Sequence, residues 1–298
     1  MWLLCHMIRR EEFYMALNSY KERMNMQKVL CSTGAITGKA NGNDYRLLGP
    51  LSKQLQCDGF ELMMSSDWQK DVEALKVYLQ EWKFYIPVVH CRKRIGEMIS
   101  MGGKEELAEA YRSFEIDCDV ARSCGAEKAV LHLWGGRASD SNFQSNLNAY
   151  PYVYEIALRY GLDLLVENVV CNVENPMKHL CELRERYPEI HFVFDTKMAA
   201  FHDQLDLLYD PDHDWLWKDG HIRHFHVNDY AGGYMDWSNL RTLPIGKGKI
   251  DFERFFEFVH KIQYEGDFTV ESTAVDSEGV VDVEMLNEQF ALIREKVS

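Results

Sequence analysis

Residues that could do chemistry recur at the ends of short apolar runs in this sequence. Glu167 ends the run LLVE, Asp195 ends FVFD, His226 lies in HFHV, and Glu271 follows FTV. An ionisable group next to a buried run is costly unless it is paired or binds a metal. Taken singly, each has an ordinary structural interpretation, since a strand-end histidine is commonly a hydrogen-bonded core residue and a lone carboxylate commonly a helix cap.

The four residues together support a stronger prediction than any one of them. Three carboxylates that met at one point would repel each other and raise each other's pKa unless a cation lay among them. Oxygen ligands with one imidazole suit a hard or borderline divalent ion: Mn²⁺, Mg²⁺, Co²⁺ or Zn²⁺. We therefore expect Glu167, Asp195, His226 and Glu271 to hold one divalent metal ion.

The elements that must bring these residues together follow a βα rhythm. Short β-branched runs alternate with stretches of helical period, which is typical of a parallel sheet. The run after the first strand, TGAITGKANGND, lacks the glycine pattern of a phosphate-binding turn, which favours a closed (β/α)₈ barrel (a TIM barrel) over an open doubly wound sheet. Active sites of such barrels lie at the C-terminal ends of the strands. The predicted strands are 28–33, 59–64, 85–90, 128–133, 163–168, 191–195, 222–227 and 268–272, and the predicted helices are 68–82, 104–123, 145–160, 176–187, 252–263 and 283–296, with weaker ones at 50–56 and 212–218.

The sequence divides into an N-terminal helical extension, 1–25, and a catalytic barrel domain, 26–298. The extension has the apolar spacing of an amphipathic helix. No apolar run is long enough to cross a bilayer, and the N-terminus lacks the pattern of a signal peptide. With eight cysteines scattered singly, we expect reduced thiols in the cytoplasm. The net charge of −14 disfavours nucleic acid and anionic membranes as partners and favours a small-molecule substrate, while leaving a homo-oligomer open.

The motifs resemble those of the xylose isomerase-like, or AP endonuclease family 2, barrels. The similarity covers roughly 28–296 and is strongest in HFHVND followed by LPIGKGKIDF, which resembles the family's H-x-x-D and P-G-x-G-x-x-D-F arrangement. LLVEN, FVFDT and FTVES match the fifth, sixth and eighth strands. The resemblance implies the same four metal ligands, and it implies that Glu167 and Glu271 also form the proton-transfer pair of a sugar isomerase or epimerase.

Further site residues follow from the same resemblance. His90 and His132 match histidines that bind extra metals in the endonuclease members and line the substrate pocket in single-metal members, so we expect them to contact substrate. Asn168 and Arg241 are expected to hydrogen-bond substrate hydroxyls. The chain departs from the family at Met198, where many members carry a histidine. If the strand continued past Asp195, Lys197 would point the same way and replace that histidine as a substrate clamp, although a solvent-facing lysine is an equal alternative.

The main expectation is a metal-dependent isomerase or epimerase that acts on a ketose or related small polyol through an enediolate. A dehydratase on the same barrel would use the same residues and is not separated by sequence. An abasic-site endonuclease is disfavoured, because further zinc ligands are missing at Met198, Arg241 and Leu243. A sugar-binding barrel without catalysis is the third alternative, and the complete ligand set argues against it.

Overall fold

The computed structural model describes residues 27–298, which form a closed barrel of eight parallel strands in the order β1 to β8, with β8 paired to β1. The predicted fold class is therefore confirmed, and each predicted strand is present with ends shifted by three residues at most. The strands are β1 Val29–Ser32, β2 Gly59–Met63, β3 Val88–His90, β4 Lys128–Leu131, β5 Asp163–Glu167, β6 His191–Asp195, β7 Ile222–His226 and β8 Asp267–Val270.

Helices follow the strands and cover the outside of the barrel. The six strongly predicted helices are all present, and the weaker ones appear as short pieces. None of the helices in 27–298 is long and apolar enough to span a membrane. The helices are α1 Thr33–Ile36, α2 Leu48–Ser52, α3 Val72–Trp82, α4 Arg94–Met101, α5 Lys104–Ser123, α6 Phe143–Arg159, α7 Pro176–Arg186, α8 Thr196–Phe201, α9 Trp215–Lys218, α10 Phe252–Lys261 and α11 Val283–Val297. Short 3₁₀ segments are formed by Lys39–Asn41, Tyr45–Leu47, Ser66–Asp71, Leu205–Tyr209, Pro211–His213 and Trp237–Asn239.

Local sequence signals explain several of the helix ends. Pro176 occupies the first turn of α7, where its missing N–H costs nothing, and the Asn175 side chain accepts a hydrogen bond from Lys178 N at 2.9 Å. Gly125 and Gly161 follow α5 and α6 with φ of 78° and 73°, a left-handed conformation that ends a helix at little cost in glycine. These glycines mark the helix ends that the sequence indicates.

Three helices, the single turn α1 and the longer α4 and α8, are not predicted by the sequence patterns. Helix α4 contains Gly96, which disfavours a helix, but a Cβ there would lie 2.1 Å from the backbone oxygen of His132, so the close packing requires glycine. Helix α8 begins directly at the end of β6 without a loop. Asp195 closes the strand and caps the helix, accepting a hydrogen bond from Met198 N at 2.8 Å.

The barrel interior below the strand ends is aliphatic on five strands. Side chains of β1, β3, β4, β5 and β6 form one fully buried cluster. Because side chains alternate between faces along a strand, the residue two positions further on points to the same interior. Four of the five are followed in this way by His90, His132, Glu167 and Asp195, so the cluster is the floor of the site. The floor consists of Leu30, Val88, Val130, Leu165 and Val193.

The predicted helix within 1–25 and the predicted domain boundary after it lie outside the described residues. Within 27–298 the cysteines are free thiols, four of them buried. These thiols include Cys31 and Cys91 at strand ends.

Candidate metal centre

The four predicted metal ligands meet at the C-terminal mouth of the barrel. Glu167 ends β5, Asp195 ends β6, His226 ends β7, and Glu271 comes directly after β8. One potential ligand atom from each residue lies within 4.8 Å of the others. Donor atoms about 2.0–2.3 Å from a shared ion are separated by roughly 3–4 Å. The arrangement is therefore one that small side-chain rotations would close around an ion.

Buried atoms without partners show that the residues present fit a cation. Asp195 Oδ2, His226 Nδ1 and Glu271 Oε1 are buried and have no hydrogen-bond partner among residues 27–298. His226 Nδ1 lies 3.5 Å from Glu167 Oε1 and 3.6 Å from Glu271 Oε2. Burying a polar atom without a hydrogen-bond partner costs free energy. A cation bound by all four residues would offset that cost.

The pKa values reflect this crowding of charge. Burial raises the pKa of Asp195 to about 6, and the nearby Lys197 ammonium opposes the shift. Burial also disfavours the charged form of Glu167, but His132 and His226 outweigh it and hold the pKa of that carboxyl well below its usual range. For His226, burial is outweighed by Glu61, Glu271 and Glu167, and the pKa of the imidazole is raised well above its usual value. In the absence of a metal, a proton on His226 would compensate part of the negative charge.

His90 and His132 approach one oxygen of Glu167. His90 Nε2 hydrogen-bonds Glu167 Oε2 at 3.1 Å, and His132 Nε2 lies 2.8 Å from the same oxygen without the alignment of a hydrogen bond. Burial lowers the pKa of His132 to about 4, whereas contact with Glu167 outweighs burial and raises the pKa of His90. Both histidines therefore lie beside Glu167 at the mouth. Their contact with substrate stays a prediction.

Asn168 is tied to the protein backbone rather than open to the mouth. Its side-chain oxygen accepts a hydrogen bond from Asp195 N at 2.6 Å, and its amide donates to Asp195 O at 3.1 Å. These two bonds hold the end of β6 against the end of β5. The amide keeps a second N–H and the oxygen a second lone pair, so these bonds leave room for another partner, and the expected hydrogen bond of Asn168 to a substrate hydroxyl stays a prediction.

Lys197 and Arg241 occupy different environments. The strand does not continue past Asp195 as the period-two argument required, because α8 starts at Thr196. Lys197 is nevertheless only 7% exposed, so it is not a solvent-facing lysine, and its Nζ donates to Thr242 Oγ1 at 3.1 Å. Arg241, next to Thr242, is exposed. The structure thus places Lys197 near Asp195, whereas it shows no contact of Arg241 with the four ligands.

Three residues join the site although the sequence assigned them no role in it: Glu61, an acid within the second predicted strand, His224 of β7 and Thr269 of β8. Glu61 Oε2 lies 2.7 Å from Thr269 Oγ1, 3.1 Å from His224 Nε2 and 3.2 Å from His226 Nε2. All three are fully buried. The available signal was the two-residue spacing, which puts His224 on the same face as His226, and Thr269 on the same face as Glu271.

The H-x-x-D and glycine motifs are explained by one buried carboxylate. Asp229 accepts hydrogen bonds from the backbone N–H groups of Tyr230, Gly246, Gly248 and Ile250 at 2.7–3.1 Å. A Cβ at Gly248 would lie 2.3 Å from Asp229 Oδ1, so only glycine allows this approach. The motif therefore anchors the loop after β7 beside His226.

Comparisons with solved structures agree with the fold. A structure of L-ribulose 3-epimerase is 17% identical with a TM-score of 0.69, and the match covers 91% of this chain and 95% of the other. D-allulose 3-epimerase from Methylomonas sp. in complex with D-allulose is 15% identical with a TM-score of 0.65, covering 91% and 98%. The IOLI protein with a bound zinc atom gives the same identity, TM-score and coverage. At these identities the similarities show the fold alone.

The family assignment comes from the sequence itself. A search of curated proteins finds no match. The family model described as xylose isomerase-like TIM barrel matches residues 51–295, which is most of the chain and includes all four predicted ligands. The chain belongs to the xylose isomerase-like TIM barrel family.

Proposed function

We propose that this protein is a metal-dependent sugar isomerase or epimerase that acts on a ketose or related small polyol through an enediolate. The observation that carries the proposal is the convergence of Glu167, Asp195, His226 and Glu271, with unpartnered buried atoms on three of them. Carboxylates and one imidazole suit Mn²⁺, Mg²⁺, Co²⁺ or Zn²⁺. A bound ion of this kind would stabilise the negative charge that develops on the substrate when a carbon-bound proton is removed.

The two glutamates differ in ways that suit acid–base work. Glu271 Oε1 has no partner among residues 27–298, and the side chain is 9% exposed, so it is the more open of the two glutamates. Glu167 is 1% exposed and holds His90 through Oε2, which leaves Oε1 towards His226. One glutamate removing a proton from carbon and the other returning one would give isomerisation or epimerisation without an organic cofactor.

The solved relatives support this chemistry without defining the substrate. D-allulose 3-epimerase and L-ribulose 3-epimerase share the barrel, and the IOLI structure contains zinc. The net charge of −14 supports a small-molecule substrate over nucleic acid. The absence of nucleic-acid and membrane partners, the cytoplasmic location and any homo-oligomer stay predictions.

The test is hydrogen exchange with solvent. Purified protein loaded with each candidate metal is incubated with a panel of ketoses and cyclic polyols in deuterated water, and deuterium at the substrate α-carbon is measured by NMR. Turnover through an enediolate places deuterium in both product and recovered substrate. Glu167→Gln and Glu271→Gln should each reduce exchange by at least about a hundredfold, the usual contribution of a general acid or base. The exposed Glu257→Gln serves as the control and should leave exchange unchanged.

The outcomes separate this function from the alternatives. Exchange that persists in both glutamine variants would refute the two-glutamate mechanism. Loss of water from the substrate would identify a dehydratase. Metal analysis should give one ion per chain; a second ion would indicate that the group formed by His90, His132 and Glu167 is also a metal site.

A further inference from the structure

Below the proposed metal ligands lies a polar network that joins three strands. Glu61 is fully buried, and its Oε2 contacts the side chains of Thr269, His224 and His226 at 2.7, 3.1 and 3.2 Å. Glu61 Oε1 lies 3.0 Å from the same His226 nitrogen. Both carboxylate oxygens therefore approach Nε2, the nitrogen of His226 that faces away from the other carboxylates.

The hydrogen atoms of this network can be assigned from its donors and acceptors. An ionised carboxylate only accepts hydrogen bonds, so Thr269 Oγ1 must donate its single hydrogen to Glu61. The Thr269 oxygen is then left to accept from His224 Nε2, 2.8 Å away. His226 Nε2 must likewise donate to Glu61. This assignment puts a hydrogen on Nε2 of His226 and leaves Nδ1 as the atom that can bind a cation.

Two neighbouring rings fix the plane of the His226 imidazole. His90 stacks on it with a centroid distance of 5.9 Å and an interplanar angle of 20°, and His224 packs edge-on at 5.5 Å and 87°. With the plane fixed, exchange of the two nitrogens would need a half-turn of the ring between these neighbours. The orientation of His226 is thus determined by packing, and its tautomer by hydrogen bonding.

We propose that Glu61 is a positioning residue: it holds a hydrogen on Nε2 of His226 and thereby reserves Nδ1 for the divalent ion of the proposed function. A ligating histidine whose other nitrogen donates to a carboxylate is oriented and made a better ligand, and loss of such a partner typically weakens metal binding about 10–100-fold. The inference rests on the proposed metal centre, but its readout is metal binding and not sugar turnover. Failure of the sugar chemistry would therefore leave it standing.

The test combines zinc affinity with NMR of the imidazole. Zn²⁺ binding is measured by competition with a chelator for the wild type, Glu61→Gln and Glu257→Gln. The Glu61→Gln side chain keeps the shape but presents an NH₂ donor to Nε2, so we expect zinc affinity to fall about 10–100-fold. The matched control Glu257→Gln makes the same chemical change at an exposed position of α10, and its affinity should stay within about threefold of the wild type. In zinc-loaded protein with ¹⁵N-labelled histidine, His226 should show zinc on Nδ1 and a proton on Nε2.

Several results would overturn the inference. Zinc on Nε2 of His226 in the wild type would refute it, and this spectrum remains informative if Glu61→Gln does not fold. Equal affinities of Glu61→Gln and the wild type would assign Glu61 a purely structural role. Two zinc ions in the wild type and one in Glu61→Gln would make Glu61 a ligand, together with His224 and His226. A wild type that binds no zinc would refute both this inference and the metal centre.

Discussion

The buried, ionised carboxylate of Asp195 destabilises the metal-free protein. Its side chain is fully buried, Oδ2 has no partner among residues 27–298, and burial raises its pKa to about 6. Asp195→Asn should therefore stabilise the metal-free protein while abolishing metal binding. Asparagine can keep the cap of α8, because its remaining oxygen can still accept from Met198 N.

The magnitude follows from the pKa difference between folded and unfolded chains. An unfolded aspartate titrates near 3.9, so the shift is about two pH units, or roughly 3 kcal/mol at 1.36 kcal/mol per unit. A raised pKa means that the folded state binds the proton more tightly. Protonation of Asp195 therefore contributes its full stabilisation of the wild type below about pH 4. This contribution is lost as the pH rises through about 6. The variant has no such carboxyl and keeps its stability over this window.

The assay is denaturant unfolding of chelator-treated protein between pH 4 and 8. The free energy of unfolding of Asp195→Asn minus that of the wild type should rise by roughly 3 kcal/mol across this range. At pH 8, Zn²⁺ or Mn²⁺ at about 100 times its Kd should stabilise the wild type by about 2.7 kcal/mol and leave the variant unchanged. A difference that does not depend on pH would refute the reasoning, as would a metal-free wild type at least as stable as the variant at pH 8.

Asp229→Asn is the matched control, because Asp229 is equally buried but accepts four backbone hydrogen bonds. An amide NH₂ there would face backbone N–H donors. We expect this variant to be destabilised by about 1–3 kcal/mol, the usual cost of an unsatisfied buried group. Both substitutions replace aspartate by asparagine, but they should change the free energy of unfolding in opposite directions.

Three further predictions concern the mouth of the barrel. Metal affinity, measured by calorimetry between pH 6 and 8, should fall as the pH falls, because a proton competes for His226, whose pKa is raised well above its usual value; a flat profile would contradict this. Lys197→Met removes the charge that favours ionised Asp195, so zinc affinity should fall more at pH 6.5 than at pH 8, and an equal loss at both would assign Lys197 another role. Gly248→Ala should lower the thermal midpoint by several degrees, since its Cβ would meet a carboxylate oxygen at 2.3 Å, and an unchanged midpoint would show that the loop adjusts freely.

The architecture was largely readable from the sequence, because strands of a closed parallel barrel are short apolar runs at regular intervals. Asp163–Glu167 and His191–Asp195 illustrate this, since each is an apolar run that ends in an acid. Helix α5 matches its predicted range, 104–123, because a long charged helix shows its period clearly. The short helix α8 could not be predicted this way, since its cap is also the last residue of a strand.

The sequence predicts which residues of the candidate site lie on each strand, but not which of them contact each other across the barrel. Alternation along a strand places Glu167 and Asp195 at strand ends, and the fold then implies that they meet. Contacts across the barrel have no local signal: Glu61 and His224 are 163 residues apart, and nothing in either neighbourhood indicates the other. Asn168 shows the same limit, because its sequence position after a strand end gives no sign of the two hydrogen bonds by which it holds the backbone of Asp195 on the next strand.

The aliphatic floor of the barrel determines how an ion and a sugar would share one entrance. Its five side chains are 0% exposed and fill the interior beneath the ends of five strands, and the buried Glu61, His224 and Thr269 fill it on β2, β7 and β8. An ion held above this floor would have to leave through the same mouth that a bound sugar fills. If the proposed function holds, a sugar in place would trap the ion, and we expect metal to load first and to exchange only between turnovers.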